Sequence, residues 1–178
     1  MIIGLSGYAR SGKDEVAKIL VEEYGYTRAA FADKIKELLL ETNPQIGGNR
    51  LQHLIDTYGW EVAKSQPEVR YLLQSLGVGA RKLLGDDIWI ISVLRKMDDK
   101  NQNYVITDVR FENEAVMIKQ IGGELWRIKR PGIEPINEHI SERDMDGYPV
   151  DKILKNEGTL EELRTLVRSR MEFTLNAN

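Results

Sequence analysis

Ile2-Ile3-Gly4-Leu5-Ser6-Gly7-Tyr8-Ala9-Arg10-Ser11-Gly12-Lys13-Asp14 is the stretch that decides the fold class. Ile2–Ser6 is a short apolar run of the kind that forms a buried strand. Gly7 and Gly12 bound a turn, and the spacing predicts a helix from Lys13 to Tyr24. Strand, glycine loop and helix in that order make a phosphate-binding loop. Glycines let the backbone wrap closely around a polyphosphate, and successive N–H groups point inward as an anion nest. The helix N-terminus adds the positive end of its dipole. Lys13 supplies a point charge for the β- and γ-phosphates of ATP. Gly7, Ala9, Arg10, Ser11, Gly12, Lys13 and Asp14 are therefore the candidate ATP-binding residues in this loop. Asp14 stands where the general pattern has Ser or Thr for Mg²⁺. A carboxylate beside phosphates is repulsive unless a cation lies between them, so Asp14 is a candidate Mg²⁺ ligand, direct or through water. The plainer alternative is a glycine turn with Asp14 capping a helix.

Outward from this loop, a second strand is expected near Tyr26–Phe31 and a helix over Ala32–Thr42. Asn43-Pro44 and Gly47-Gly48 punctuate a loop. Leu51–Lys100 carries only helical patterning, clearest where Val69, Leu72, Leu73, Leu76, Ala80, Leu83 and Leu84 recur at helical spacing. Tyr104–Thr107 reads as a buried strand, Phe111–Ile121 as a helix stopped by Gly122-Gly123, and Glu124–Lys129 as a further strand. Residues 130–150, with Pro131, Pro135 and Pro149, read as loop. Lys152–Lys155 is the last strand, and Thr159-x-x-Glu162 fits a capping box opening the final helix. Strands alternating with helices imply an α/β fold around a mostly parallel sheet. At 178 residues, one domain is expected.

Composition narrows the function classes. Lys and Arg total 25 against 28 Asp and Glu, a formal net charge of −3. That argues against binding polymeric nucleic acid, which needs a basic field, and leaves room for a basic pocket holding a small anion. The absence of cysteine rules out disulfides, thiolate catalysis and Cys-bound metal. The N-terminal apolar run is too short for a signal peptide, and no run approaches the ~18 apolar residues of a membrane span. A soluble cytoplasmic protein without a membrane partner is expected.

A second acidic position follows the strand at Tyr104-Val105-Ile106-Thr107-Asp108-Val109-Arg110. Ligand sites of α/β sheets lie at the carboxyl ends of the strands. Asp108 is placed there as a metal-side carboxylate or an acceptor-positioning group, and Arg110 as a fork for an acceptor phosphate. A solvated Asp–Arg pair is the alternative. At 100° per residue, Arg70, Gln74, Gly77 and Arg81 share a strip about 60° wide. That strip suits a nucleotide with phosphate at one end and base at the other, or it is a plain solvated face. Trp89 and Trp126 are each core or base platform, with core expected for Trp126. His139 has no local mark of a ligand or base.

These residues resemble the phage-type deoxynucleoside monophosphate kinases over nearly the whole chain. The pieces, in the family's order, begin with Arg10-Ser11-Gly12-Lys13-Asp14, Phe31-Ala32-Asp33 with Lys36, and Arg70-x-x-x-Gln74-x-Leu76-Gly77. Asp108-x-Arg110 with Asn113-Glu114, Arg130-Pro131-Gly132, His139-Ile140-Ser141-Glu142 and Asn156-x-Gly158-Thr159-Leu160 continue it. The Gly-Lys-Asp form of the loop is usual in that family. The resemblance implies a three-layer P-loop fold with five parallel strands, a helical acceptor-binding region over about 33–100 and a lid over about 130–148. It implies ATP and Mg²⁺, a deoxynucleoside monophosphate acceptor, and admits a homodimer. Lys36, Arg70, Arg110 and Arg81 would then hold the acceptor phosphate, and Gln74 and Trp89 its base. Arg130 would swing over the phosphates, Arg143 is a candidate second lid arginine, and Asn156 would lie near the donor adenine. Lys13, Asp108, Arg110 and Arg130 form the expected catalytic set. The rival readings are another small-molecule kinase, dephospho-coenzyme A or phosphomevalonate kinase-like, and a nucleotide-dependent ATPase switch.

Overall fold

The N-terminal apolar run becomes a strand at the middle of a parallel sheet. In the computed structural model, which describes residues 1–97, 101–135 and 140–176, the elements run β1 (Ile2–Ser6), α1 (Lys13–Tyr24), β2 (Thr27–Ala29), α2 (Phe31–Thr42), β3 (Gln45–Ile46), β4 (Asn49–Arg50), α3 (Leu51–Ala63), α4 (Pro67–Leu84), α5 (Ile88–Leu94), β5 (Tyr104–Ile106), α6 (Glu112–Gln120), β6 (Glu124–Lys129), α7 (Ile140–Arg143), β7 (Lys152–Lys155) and α8 (Leu160–Asn176). They divide into two compact units, Met1–Ala30 with Leu94–Asn178, and Phe31–Val93.

The first unit holds a five-stranded sheet in the order β2-β5-β1-β6-β7, every pair parallel. Central parallel strands are covered on both faces and so read as continuous apolar runs, which is why Ile3, Leu5, Val105 and Ile106 are wholly buried. β1 has β5 on one side and β6 on the other, so the connections leaving it diverge and open a crevice at its carboxyl end. Val16, Ile19 and Leu20 of α1 pack with Leu163, Val167 and Met171 of α8 and with Trp126 in one buried cluster. Trp126 is the core residue expected from its context. Its Nε1 donates to Glu124 Oε2 at 2.7 Å, and Lys152 Nζ lies 5.1 Å from its ring centroid. The capping box is realised: Glu162 Oε2 accepts from Thr159 N at 2.6 Å, and Glu162 N donates to Thr159 Oγ1 at 3.3 Å.

The second unit is helical apart from one antiparallel ladder, β3 with β4, pairing Gln45 with Arg50 and Ile46 with Asn49. The sequence predicts only loop here, because Gly47-Gly48 at positive φ is read equally well as a loop or as a two-residue hairpin turn. Leu39, Ile46, Leu51, Leu54 and Val69 form its core, with Leu72, Leu73 and Leu76 packed against it. Leu83 and Leu84, expected on the apolar stripe of α4, are instead exposed, since the core ends at Leu76, about two turns earlier. Among the described residues, the stretch expected to be helical over 51–100 holds three helices; α3 itself breaks at Gly59, whose φ of 77° and ψ of 167° are non-helical.

The described residues of 130–150 contain the one-turn α7 besides loop. His139 lies outside the described residues, as does the middle of the lid expected over 130–148.

Candidate active site

The loop between β1 and α1 is held from three directions. Gly7 adopts φ 135°, and a Cβ there would meet the Ile128 carbonyl oxygen of β6 at 2.4 Å. Gly12 adopts φ 105° at the helix N-cap, and a Cβ there would meet Asn156 Nδ2 at 2.5 Å. Arg10 is the non-glycine residue forced to positive φ in this loop, at 66°, a conformation that persists only where the surroundings fix it. Lys13 Nζ donates to the carbonyls of Gly7 at 2.7 Å and Tyr8 at 2.8 Å. Asn156 is buried, and its Nδ2 donates to the Ser11 carbonyl at 2.9 Å. Ser11 is buried too, its hydroxyl without a hydrogen-bond partner among the described residues. A tight backbone turn, a buried hydroxyl and a fixed ammonium make an anion site.

A cleft of about 440 Å³ opens beside this loop within the first unit. Gly7, Tyr8 and Ser11 contribute from the loop, Val109 and Arg110 from the segment that follows β5, and Arg127 to Lys129 from β6 with Arg130 just after it. Ile133, Glu134, Met145, Asp146 and Gly147 complete the lining. Four cations, Arg110, Arg127, Lys129 and Arg130, face two acids, so the cleft is basic inside an acidic protein. Burial holds the Arg127 guanidinium below its usual range, with Asp146 opposing that shift. Burial and a hydrogen bond to Asp146 push the Tyr8 phenol above its usual range.

Glu114, on the first turn of α6, is a buried carboxylate whose Oε2 accepts from the backbone N–H of Arg110 at 2.8 Å and of Phe111 at 3.1 Å. It thereby fixes the backbone that carries Arg110 into the cleft. Glu114→Ala orphans two N–H groups and is expected to cost about 2 kcal/mol, whereas Glu114→Gln keeps an acceptor and costs less. Urea denaturation of the two variants checks the order, and equal stability of all three proteins would refute it.

A family model described as deoxynucleotide monophosphate kinase matches residues 52–167. This match begins after the phosphate loop, so it rests on other residues than those that first suggested the fold. The chain is 32% identical, over 187 aligned positions covering 95% of each protein, to a putative deoxynucleotide monophosphate kinase of Acanthamoeba polyphaga mimivirus. The chain belongs to the deoxynucleotide monophosphate kinase family. It is also 24% identical over 114 residues to the deoxynucleotide monophosphate kinase of Enterobacteria phage T4, covering 61% of this chain and 47% of that protein. Among solved structures it is similar to shikimate kinase from Aquifex aeolicus, with TM-score 0.53 and 17% identity over the whole of both chains. That likeness supports the P-loop kinase fold.

Within this kinase-family chain, the structure gathers Gly7, Ser11, Arg110 and Arg130 in one cleft and sets Lys13 and Asp14 at the start of α1. Asp108 is half-buried just beyond β5, and Val109 and Arg110 line the cleft in its place. Asn156, expected near the donor adenine, has its amide engaged beneath the phosphate loop. In the second unit, Arg70, Gln74 and Arg81 are half-buried on α4, and the Arg81 guanidinium lies 4.0 Å from Asp86. Lys36 lies 3.6 Å from Asp33 and 5.9 Å from the Trp60 ring centroid. Trp89 is buried and donates from Nε1 to the Gly77 carbonyl at 2.9 Å, which makes it a packing anchor of its unit and not an open base platform. Sequence reasoning missed Tyr8, Arg127 and Asp146. The first sits at a variable position of the loop, and the other two carry no motif.

Proposed function

We propose that the chain transfers the γ-phosphoryl group of ATP to a deoxynucleoside monophosphate, giving ADP and the deoxynucleoside diphosphate. The observation that carries this reading is the cleft in which Gly7, Tyr8 and Ser11 of the glycine loop meet Arg110 and Arg130, with Lys13 bonded to the Gly7 and Tyr8 carbonyls of the same loop. An acceptor phosphate oxygen attacks the γ-phosphorus as the bond to the β,γ-bridging oxygen breaks. The attacking oxygen of the acceptor monophosphate is already anionic, because the second phosphate pKa is about 6, so no general base is needed. Catalysis then rests on alignment and on neutralising charge in a loose transition state. Lys13 serves the donor phosphates, Arg110 the acceptor phosphate and Arg130 the transferred group, with Asp108 positioning the acceptor. Lys36, Arg70 and Arg81 are the proposed acceptor-phosphate ligands of the second unit, and Gln74 its base contact. Asn156 acts through the loop that it braces.

Asp14 is an exposed carboxylate in the first turn of α1, and no cluster of three metal-ligating side chains occurs among the described residues. One hard oxygen ligand, with phosphates and water supplying the rest, is the manner in which Mg²⁺ is usually held. Bound there, the ion would neutralise donor charge. ATP and Mg²⁺ with each deoxy- and ribonucleoside monophosphate in turn, following ADP and diphosphate, test the reading. Acceptor-dependent ADP with one or more deoxynucleotides is expected, and an Asp14→Asn variant should need about five-fold more Mg²⁺, an effect of the size of one exposed ion contact. Steady ATP hydrolysis indifferent to every acceptor would overturn the kinase reading, and an unaltered Mg²⁺ requirement would remove Asp14 from it.

A further inference from the structure

The cleft wall at Asp144–Tyr148 belongs to the stretch in which a lid is expected, yet its contacts describe a fixed strap. Arg127 Nη2 donates to the carbonyl of Met145 at 2.5 Å and to that of Tyr148 at 3.0 Å. Asp144 Oδ2 accepts from Glu112 N at 2.9 Å, capping α6. Asp146 Oδ1 accepts from the hydroxyl of Tyr8 at 2.8 Å. Within the strap Tyr148 N donates to Met145 O, and Asp146 N donates back to Arg143 O just before it.

The Tyr8 bond is the informative one. Tyr8 is the second residue of the phosphate loop, and its carbonyl accepts from Lys13 Nζ at 2.8 Å and from Ser11 N at 3.2 Å. One residue thus joins the loop's ammonium to the strap. Asp146 is also an acid lining a basic cleft. A carboxylate in that place repels a polyphosphate, so its presence calls for a compensating role, and Arg127 beside it offsets its charge.

We propose that Tyr8, Asp146 and Arg127 form a clasp that holds the phosphate loop in its anion-binding conformation, with Asp146 and Arg127 acting as positioning residues through Tyr8. The proposal rests on the donor-site reading above. It separates from a purely electrostatic role by sign: if Asp146 acted by charge alone, its removal would tighten nucleotide binding. A phenol is protonated at neutral pH in any case, and burial with the Asp146 bond only raises it further, so Tyr8 is a donor under assay conditions.

The test is binding of a fluorescent ATP analogue to the full chain, with steady-state KM for ATP and for the acceptor measured in parallel. Tyr8→Phe and Asp146→Ala are each expected to weaken the analogue about five-fold, the size of one hydrogen bond. The acceptor KM should stay within about two-fold. Asp146→Asn, which keeps an acceptor oxygen, should bind within about two-fold of the parent. The double variant Tyr8→Phe/Asp146→Ala should be no weaker than either single one, because a broken clasp is lost once. Parent-like or tighter binding by Asp146→Ala overturns the clasp, as does a double variant weakened by the product of the two effects. Equal loss in donor and acceptor KM with a lowered melting temperature also overturns it, since that is the mark of general loosening. A parent protein that takes up no analogue brings down the donor-site reading itself, and the clasp with it.

Discussion

Lys13→Ala is expected to lower kcat by about 100- to 1,000-fold, the cost of deleting one fixed charge donor from a transition state. The ammonium is held by the Gly7 and Tyr8 carbonyls at 2.7 and 2.8 Å, inside the turn that receives the phosphates. Arg10 lies on the same loop but is exposed, and backbone N–H groups carry only partial charge. A unit charge about 4 Å from a phosphate oxygen is worth about 4 kcal/mol near a protein surface, which agrees with the expected loss in rate. The two loop hydrogen bonds go as well, costing about 1–3 kcal/mol of stability. The melting temperature should therefore fall by several degrees while the protein remains folded at 25 °C. ADP release with a saturating deoxynucleotide, beside a melting curve, separates the two effects. Turnover within three-fold of the parent would take Lys13 out of the chemistry.

The fold was legible wherever local pattern and tertiary role coincide. β1 and β6 have the limits read from their apolar runs, because buried parallel strands cannot disguise their composition; α1, bounded by Gly12 and Gly25, and the edge strand β7 also fall where they were read. Thr159 with Glu162 announces α8 for the same reason: the capping chemistry is complete within four residues. The β3–β4 hairpin escaped because two residues per strand give no periodicity to read. Gly7 to Lys13 could be read because the motif is contiguous. Asn156 bracing Ser11 from 145 residues away could not, nor could the bond of Tyr8 to Asp146, separated by 138 residues. Glu114 falls between these cases. It sits where a capping glutamate belongs, but Phe111 in place of Ser or Thr at the N-cap hides the pattern, and the carboxylate reaches Arg110 N besides. What stays hidden in one sequence is the set of side chains that position the motif, since their partners are brought up by the sheet and not by the chain.

Gly7→Ala should be the most damaging single methyl group in the protein. Two independent penalties meet at this position. The backbone sits at φ 135°, where L-residues are rarely found, and the new Cβ would lie 2.4 Å from the Ile128 carbonyl oxygen and 3.0 Å from Ser11 Oγ. Ile128 belongs to β6, which is paired on both sides, with β1 and with β7. Its carbonyl cannot retreat without breaking the ladder, so the loop must move instead. Gly12→Ala offers the contrast. Its φ of 105° is also unfavourable, but the added Cβ would meet Asn156 Nδ2, the end of a side chain that can turn aside at the cost of its hydrogen bond to the Ser11 carbonyl. The expected order is therefore a loss of about 3–4 kcal/mol for Gly7→Ala and about 2 kcal/mol for Gly12→Ala. Nucleotide affinity should follow the same order, falling more than about 100-fold for Gly7→Ala, because a displaced loop no longer aims its N–H groups at one point. Urea denaturation gives the first series and binding of a fluorescent ATP analogue the second. A Gly7→Ala protein as stable as the parent, with unchanged affinity, would mean that the loop does not rest against β6 and that the turn is not the anion site.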